Sequence, residues 1–362
     1  MNKIGIITFH RAVNYGAVLQ TYALQATILK AGISCEIIDY RNDFLEELHN
    51  PKNIKKYGSI IRYIYAVIKN RVKKDNRKSF ELFREKYLKI STNTYDKTNI
   101  SESNLHYNLF ITGSDQVWNR NCSNYDDAYF LDFVNANNSK CSYAASIGVK
   151  LQTDEERSAY RKLLENYKCI YVREEQAKLE LESIGIKSEV TLDPTLLLNK
   201  NDWLKLAQKP TKFKYINKYL LVYVIVETPS IFKLAKEIAE KHELEVVYIN
   251  EMLLSKTGIT NLSCITPNEW LWLFANAEFV VTNSFHGTAF SVNFGKQFVV
   301  EPLPVKTNVN SRIYDFLNLI NLSNRIVGSQ NYSNDAFINY DMVNFEDQRQ
   351  SSLKVLYDIW SQ

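Results

Sequence analysis

The stretch Phe279-Val280-Val281-Thr282-Asn283-Ser284-Phe285-His286-Gly287-Thr288, continued by Ala289-Phe290-Ser291-Val292-Asn293-Phe294-Gly295, decides the fold. An apolar run ends in a polar turn carrying one histidine, and an apolar helical segment closed by glycine follows. That order predicts a buried strand, a turn at its carboxyl end and a helix. In open α/β sheets, ligands bind in the crevice outside the carboxyl ends of the strands. A helix N-terminus there offers unpaired N–H groups and the positive end of a dipole to an anion. Asn283 or Ser284 caps such a helix, and His286 falls in its first turn, facing the crevice. The plainer alternative has His286 packed on the strand or bonded to a carbonyl.

Working outward, the same alternation recurs in both halves. A strand over Ile4–Phe9 leads through Asn14-Tyr15-Gly16 into a helix over Ala17–Ala31, stopped by Gly32, and then into a strand over Cys35–Tyr40. Gly16 lets the backbone approach a ligand at the helix start, although no G-x-G-x-x-G is present. Residues 52–90 are basic and read as two amphipathic helices. Leu109–Thr112 is a strand ending in the polar turn Gly113-Ser114-Asp115-Gln116-Val117-Trp118. Short strands follow over Ser142–Ser146 and Cys169–Arg173, then a helix over Glu174–Ile184 and a strand over Ser188–Leu192 ending at Asp193-Pro194.

Residues 199–218 are polar and lysine-rich, as a linker would be. Beyond them come a strand over Tyr219–Val226, a helix over Ser230–Lys241 and a strand over Leu244–Ile249. Thr266-Pro267-Asn268-Glu269 has the pattern of a capping box at the start of a helix reaching Ala275. After the opening stretch come a strand over Gln297–Glu301, a helix over Ser311–Leu319 and a closing helix over Asn344–Trp360. The fold class expected is α/β, with two doubly wound Rossmann-like domains facing a cleft. The first covers residues 1–198, the linker 199–218 and the second domain 219–343. Residues 344–362 form a helix that packs back on the first domain.

Composition excludes several classes. With 362 residues, 45% hydrophobic and 13% aromatic, the chain can bury full cores. A net charge of +4 is too small at this length to imply a nucleic-acid partner. The run Ile4–Phe9 is broken by His10 and Arg11 too early for a signal peptide. No run approaches the roughly 18 apolar residues of a membrane span. The five cysteines (35, 122, 141, 169 and 264) lie singly, without metal-ligand spacing. They read as reduced thiols of a cytoplasmic protein, and no metal is expected. The basic stretch Lys69-Asn70-Arg71-Val72-Lys73-Lys74 through Arg77-Lys78 fits either a membrane-surface contact or a solvated helix face, the latter favoured.

Six stretches, in order, resemble the polysaccharide pyruvyl transferase family: Asn14-Tyr15-Gly16-Ala17-Val18-Leu19-Gln20, Gly113-Ser114-Asp115-Gln116-Val117-Trp118-Asn119, Val172-Arg173-Glu174-Glu175, Thr191-Leu192-Asp193-Pro194-Thr195-Leu196, Asn283-Ser284-Phe285-His286-Gly287 and Ser311-Arg312-Ile313. The resemblance implies an architecture similar to the two-domain GT-B glycosyltransferases. It also implies transfer of an enolpyruvyl group from phosphoenolpyruvate to a sugar as a pyruvate ketal, with no further cofactor. The acceptor is a cell-surface saccharide or its lipid-linked precursor, which would bring the protein to the inner face of the membrane. In many members an arginine stands two residues before the histidine; here that position is Ser284. Either Arg312 or Arg173 then supplies the cation, or the donor differs.

The chemistry assigns further roles. Histidine changes charge near neutral pH and suits the acid that protonates the donor's methylene, hence His286. The guanidinium of Arg173 matches phosphate or carboxylate in two-point fashion, or pairs at the surface with Glu174 or Glu175. Asp115 takes the acceptor's proton or caps a helix. Asn14, Gly16, Ser114, Asn283, Ser284 and Gly287 line the site or shape its turns. Asp193-Pro194 is given no chemistry, and His10 is a second-rank candidate. Two other functions stay open. One is nucleotide-sugar glycosyl transfer, with Glu301 on the ribose; the other is a non-catalytic relative that has kept the fold.

Overall fold

The computed structural model describes residues 3–49, 59, 60, 63, 74–211, 213, 218–250, 255–304, 310–335, 337–343 and 345–361. The chain divides into two compact units. Unit 1 comprises residues 1–71, 81–197 and 346–362, and unit 2 residues 72–80 and 198–345. Residues 69–73 of the basic stretch, and most of the expected helix before them, lie outside the described residues.

Chain order in the first half is β1 (Ile4–Ile7), α1 (Tyr15–Lys30), β2 (Cys35–Tyr40), α2 (Asp43–His49), α3 (Lys74–Tyr87), β3 (Ile90–Tyr95), β4 (Leu109–Thr112), α4 (Arg120–Ser123), β5 (Ser139–Ser142), α5 (Asp154–Leu164), β6 (Tyr171–Val172), α6 (Glu175–Ser183) and β7 (Glu189–Val190). The second half runs α7 (Lys200–Leu204), β8 (Tyr219–Tyr223), α8 (Pro229–Lys241), β9 (Glu245–Ile249), β10 (Thr260–Leu262), α9 (Pro267–Asn276), β11 (Phe279–Thr282), α10 (Phe285–Asn293), β12 (Gln297–Val300), α11 (Ser311–Leu319) and α12 (Glu346–Ser361).

Each unit holds one five-stranded parallel sheet, ordered β3-β2-β1-β4-β5 in unit 1 and β10-β9-β8-β11-β12 in unit 2; β6 and β7 pair separately. Parallel strands covered on both faces read as continuous apolar runs, as Phe279-Val280-Val281 and Tyr219-Leu220-Leu221-Val222 do. Within β1 the side chains alternate between two cores. Ile4 and Ile6 join Leu24, Ile37 and Ile111, whereas Ile7, with Phe9 just beyond the strand, joins Ile38, Phe110 and Trp118. Each fully buried aliphatic side chain stabilises by about 1.5–3 kcal/mol.

The first of those cores is completed from the far end of the sequence. Leu356 and Ile359 of α12 pack into it, and the Ser352 hydroxyl accepts a hydrogen bond from the Leu192 amide at 3.1 Å. The lysine-rich stretch 199–218 is not a bare connection. Asn199 caps α7, and its Trp203 is wholly buried, ring to ring with Phe290 at 4.9 Å; residues 212 and 214–217 lie outside the described set. The capping box at Thr266 and Glu269 forms, with Pro267 opening α9.

Two strands escape the sequence reading, β3 and β10. Both lie at sheet edges; β3 reads Ile-Ser-Thr-Asn-Thr-Tyr with its middle exposed, so no apolar run marks it. β5 lies at Ser139–Ser142, earlier than the expected 142–146; Ala145 instead bridges Asp115 on one side and Val172 on the other.

In each sheet the order reverses at the middle, between β1 and β4 and between β8 and β11. Ligands of doubly wound folds lodge at such switch points. The candidate residues sit at the carboxyl ends of these central strands, apart from Arg173, which follows β6, and Arg312 on α11.

Two candidate functional clusters

In unit 1, the turn after β4 is a buried ionic network. Gly113 has φ +118° and an added Cβ would lie 2.2 Å from the Tyr143 carbonyl oxygen, so only glycine fits. Asp115, at φ +69°, occupies the left-handed region that aspartate enters more readily than most residues. The Ser114 amide donates to Gln20 Oε1 (3.1 Å) of α1, and Gln20 Nε2 donates to Thr8 Oγ1 (2.8 Å), so α1, β1 and this turn are tied together. Ser114 Oγ lies 3.1 Å from Asp193 Oδ2.

Arg173 joins the network directly after β6. Its side chain is 1% exposed, donating from Nη1 to Asp193 Oδ2 (2.8 Å) and from Nη2 to Asp115 Oδ1 (3.1 Å), with Glu174 Oε2 3.8 Å from Nε. Burial would lower the guanidinium pKa, but Asp115, Asp193 and Glu174 together raise it above its ordinary value. The surface setting expected for Arg173 is therefore corrected: it is buried, and it pairs with Asp193 and Asp115 as well as with Glu174. Asp193, which was given no chemistry, is the centre of the network, also accepting from Thr195 N and Oγ1. Asp115 is its most exposed carboxylate, at 15% of the side chain.

Asn14 caps α1, its Oδ1 accepting from Ala17 N at 3.0 Å, and Gly16 is buried in the first turn. These two residues shape the helix start. His10 is enclosed at 1% exposure, with Nδ1 3.2 Å from Thr8 O and Nε2 3.4 Å from Asp39 Oδ1. Burial lowers its pKa, against the pull of Asp39. Asp39 is itself held well below the carboxylate range: burial opposes this, but His10, Arg41 and Arg11 outweigh it. Both His10 nitrogens thus face acceptors, and it reads as a structural pair with Asp39.

In unit 2, the turn after β11 is uncharged. Ser284 is the N-cap, its Oγ accepting from Gly287 N at 3.2 Å. That gives a physical reason for serine here, since an arginine could not make this cap. Asn283 does not cap. Its Oδ1 accepts from Ile225 N and its Nδ2 donates to Val226 O, both at 2.7 Å, which fixes the turn after β8. An added Cβ on Gly287 would lie 2.3 Å from Thr282 Oγ1 and 3.2 Å from the Tyr223 ring, so Gly287 permits close helix–strand packing. It contributes shape rather than a binding group.

His286 is the second residue of α10 and 7% exposed, beside Phe285 at 5.2 Å between ring centroids. The Arg312 guanidinium lies over the Phe285 ring, 5.9 Å from its centroid. Unit 2 therefore places a histidine in the first turn of a helix at its switch point, with a guanidinium against the ring of the neighbouring Phe285. Every residue of α10 is buried, as an all-round apolar helix requires. Glu301 accepts through Oε1 from Thr228 and Ser230 at the start of α8, while its buried Oε2 has no hydrogen-bond partner among the described residues.

Among the described residues no group of three or more His, Cys, Asp or Glu could hold a metal ion, and no helix is long and apolar enough to cross a membrane.

Comparison with known proteins agrees with this arrangement. A protein from Listeria monocytogenes described as a UDP-N-acetylglucosamine 2-epimerase superposes with TM-score 0.50 at 11% identity, covering 97% of this chain and 90% of that one. The UDP-GlcNAc 2-epimerase from Neisseria meningitidis gives 0.48 at 12%, covering 99% of each chain. A spinosyn rhamnosyltransferase gives 0.43 at 10%, covering 100% and 96%. At such identities the first likeness shows the fold alone: α/β, with Rossmann-like units of the GT-B kind. No curated protein matches by sequence. The family model of polysaccharide pyruvyl transferases matches residues 14–301, a span holding all the candidate residues except His10 and Arg312. On that match, the chain belongs to the polysaccharide pyruvyl transferase family.

Proposed function

We propose that the protein transfers pyruvate from phosphoenolpyruvate to a saccharide carrying two suitably placed hydroxyls, giving a pyruvate ketal and phosphate. The observation that carries this reading is the unit 2 switch point, where His286 stands in the first turn of α10 with Arg312 beside Phe285. The donor is highly anionic, and a helix N-terminus with one guanidinium suits it. With Arg173 neutralised in unit 1, Arg312 is the better replacement for the arginine that Ser284 displaces.

In the reaction the imidazolium of His286 gives its proton to the methylene carbon as the first sugar hydroxyl bonds to the central carbon. That hydroxyl's proton passes to water. Phosphate then leaves with the electron pair of its carbon–oxygen bond, and the second hydroxyl takes its place and releases its proton to the phosphate. His286 regains a proton from water, which closes the cycle. The acceptor belongs to a cell-surface polysaccharide or its lipid-linked precursor, and the work is done at the inner face of the membrane.

A second reading, nucleotide-sugar glycosyl transfer, draws on the unpartnered Glu301 Oε2, which a ribose hydroxyl would satisfy. Thermal shift separates the two, because a ligand that binds only the folded state raises the melting temperature. Stabilisation by phosphoenolpyruvate, with phosphate released when acceptor glycan is added, supports pyruvyl transfer. Stabilisation by nucleotide sugars alone moves the assignment to glycosyl transfer.

A further inference from the structure

The five cysteines are isolated in sequence, but two of them meet in the fold. Cys141 of β5 and Cys169, just before β6, form a directly paired parallel bridge, and their sulfurs are 2.6 Å apart. Neighbouring strands run about 4.7–4.9 Å apart, within the roughly 4.4–6.8 Å between Cα atoms that a disulfide spans. Direct pairing also puts both side chains on one face of the seam. The seam is held in register on both sides: Lys168 N donates to Lys140 O, Ser142 N to Cys169 O, and Ser142 Oγ exchanges hydrogen bonds with the Tyr171 main chain. The sulfurs need to close by only about 0.6 Å to reach the S–S bond length.

We propose that Cys141 and Cys169 form a reversible intramolecular disulfide when the folded protein meets a peroxide. The Cys169 S–H donates to Cys141, which lowers the Cys141 thiol below its ordinary pKa and marks it as the attacking thiolate. Cys169 is partly exposed and opens a route for a small oxidant. The Cys141 thiolate attacks one peroxide oxygen, the O–O bond breaks, and the departing hydroxide takes up the thiol proton to leave as water. The Cys141 sulfenic acid formed is then attacked by the Cys169 sulfur. An S–S bond forms, the S–O bond breaks, and a second water leaves. Both sulfurs are oxidised and the peroxide is reduced. Cys35 is as buried as Cys141 but its thiol donates to the Gln25 carbonyl and not to a second cysteine, and burial pushes it up to about 12.

The new bond would join the strand that delivers Arg173 to the sheet that carries Ser114 and Asp115. The proposal does not depend on the transfer reaction.

The test treats the folded full-length chain with hydrogen peroxide, quenches, unfolds it and titrates thiols. The count is expected to fall from five to three, and peptide mapping to recover one cross-linked pair containing Cys141 and Cys169, lighter by two hydrogens and split by dithiothreitol. Cys141→Ser and Cys169→Ser should each lose no thiol pair and yield no cross-link. Five surviving thiols, a link through any other cysteine, a disulfide between two chains, or oxygen added at Cys141 without a bond would each overturn the proposal. Should either variant fail to fold, the wild-type peptide map decides alone.

Discussion

The turn after β4 and the turn after β11 hold the same place in two sheets of the same strand order, yet they are built from opposite materials. The first is crowded with charge: one guanidinium at 1% exposure held by Asp193, Asp115 and Glu174. The second is neutral, made of Thr282, Asn283 and Ser284 hydrogen-bonded to backbone, with its cation contributed from α11. The lesson is that a shared switch point fixes where side chains converge and leaves open what they do there. Breaking a paired buried charge is a stability event, whereas removing a histidine from a capped helix start leaves the cap intact. The unit 1 turn should answer mutation mainly in stability, and the unit 2 turn mainly in rate.

The largest effect expected on this view is in His286→Ala. Loss of the acid should cut transfer by about a hundredfold to ten-thousandfold, read as phosphate release with acceptor present, while the unfolding midpoint stays near wild type. Turnover close to wild type would remove His286 from the chemistry.

Arg173→Met tests the other side. Leaving buried carboxylates without their cation should cost about 3–5 kcal/mol, measured by urea unfolding. Unchanged stability with weakened phosphoenolpyruvate binding would return Arg173 to the donor site and erase the contrast between the turns.

Gly287→Ala sharpens the comparison within unit 2. The added methyl meets Thr282 Oγ1, which already bonds the Tyr223 carbonyl and the Ser284 amide. A loss of about 1–3 kcal/mol is expected from overpacking. Ser284→Ala, which removes only the cap, should cost about 1 kcal/mol; both are read by thermal unfolding. A Ser284→Ala loss larger than that of Gly287→Ala would mean that Ser284 does more than cap.

The smallest effect is a pH slope. His10 has a folded pKa below its unfolded value, so the unfolded chain binds the proton first as pH falls below about 6.5. Stability should therefore decline from pH 7 toward pH 5, and decline less in His10→Gln. Equal slopes in the two proteins would show that His10 does not set the acid limb.

Much of this was legible in the sequence wherever local pattern decides. The order of apolar runs and polar turns places the central strands, the capping box at Thr266 and the helix start at Ser284, because burial on both faces and capping leave marks within a few residues. The edge strands β3 and β10 left none, since polar residues fill the exposed middle of β3 and β10 is only three residues long with one buried. The ion pairs of Arg173 were hidden for a different reason. Asp193 and Asp115 lie 20 and 58 residues from it, and no spacing rule covers partners that only tertiary folding brings together. Cys141 and Cys169 were missed in the same way, counted singly when their strands are neighbours. Gln20 lay inside a quoted motif, but its link to Ser114 spans 94 residues.

The placement of α12 bears on the order in which the protein can be made. Leu356 and Ile359 fill a core of unit 1, yet they are translated after all of unit 2. Domains begin to fold as the ribosome releases them, so unit 2 can close its sheet while unit 1 still lacks a wall. In that interval Ile4, Ile37 and Ile111, which line the unfinished core, are without their last cover. The first half of this chain is thus the half most exposed to misassembly during synthesis, and the half with most to gain from a chaperone.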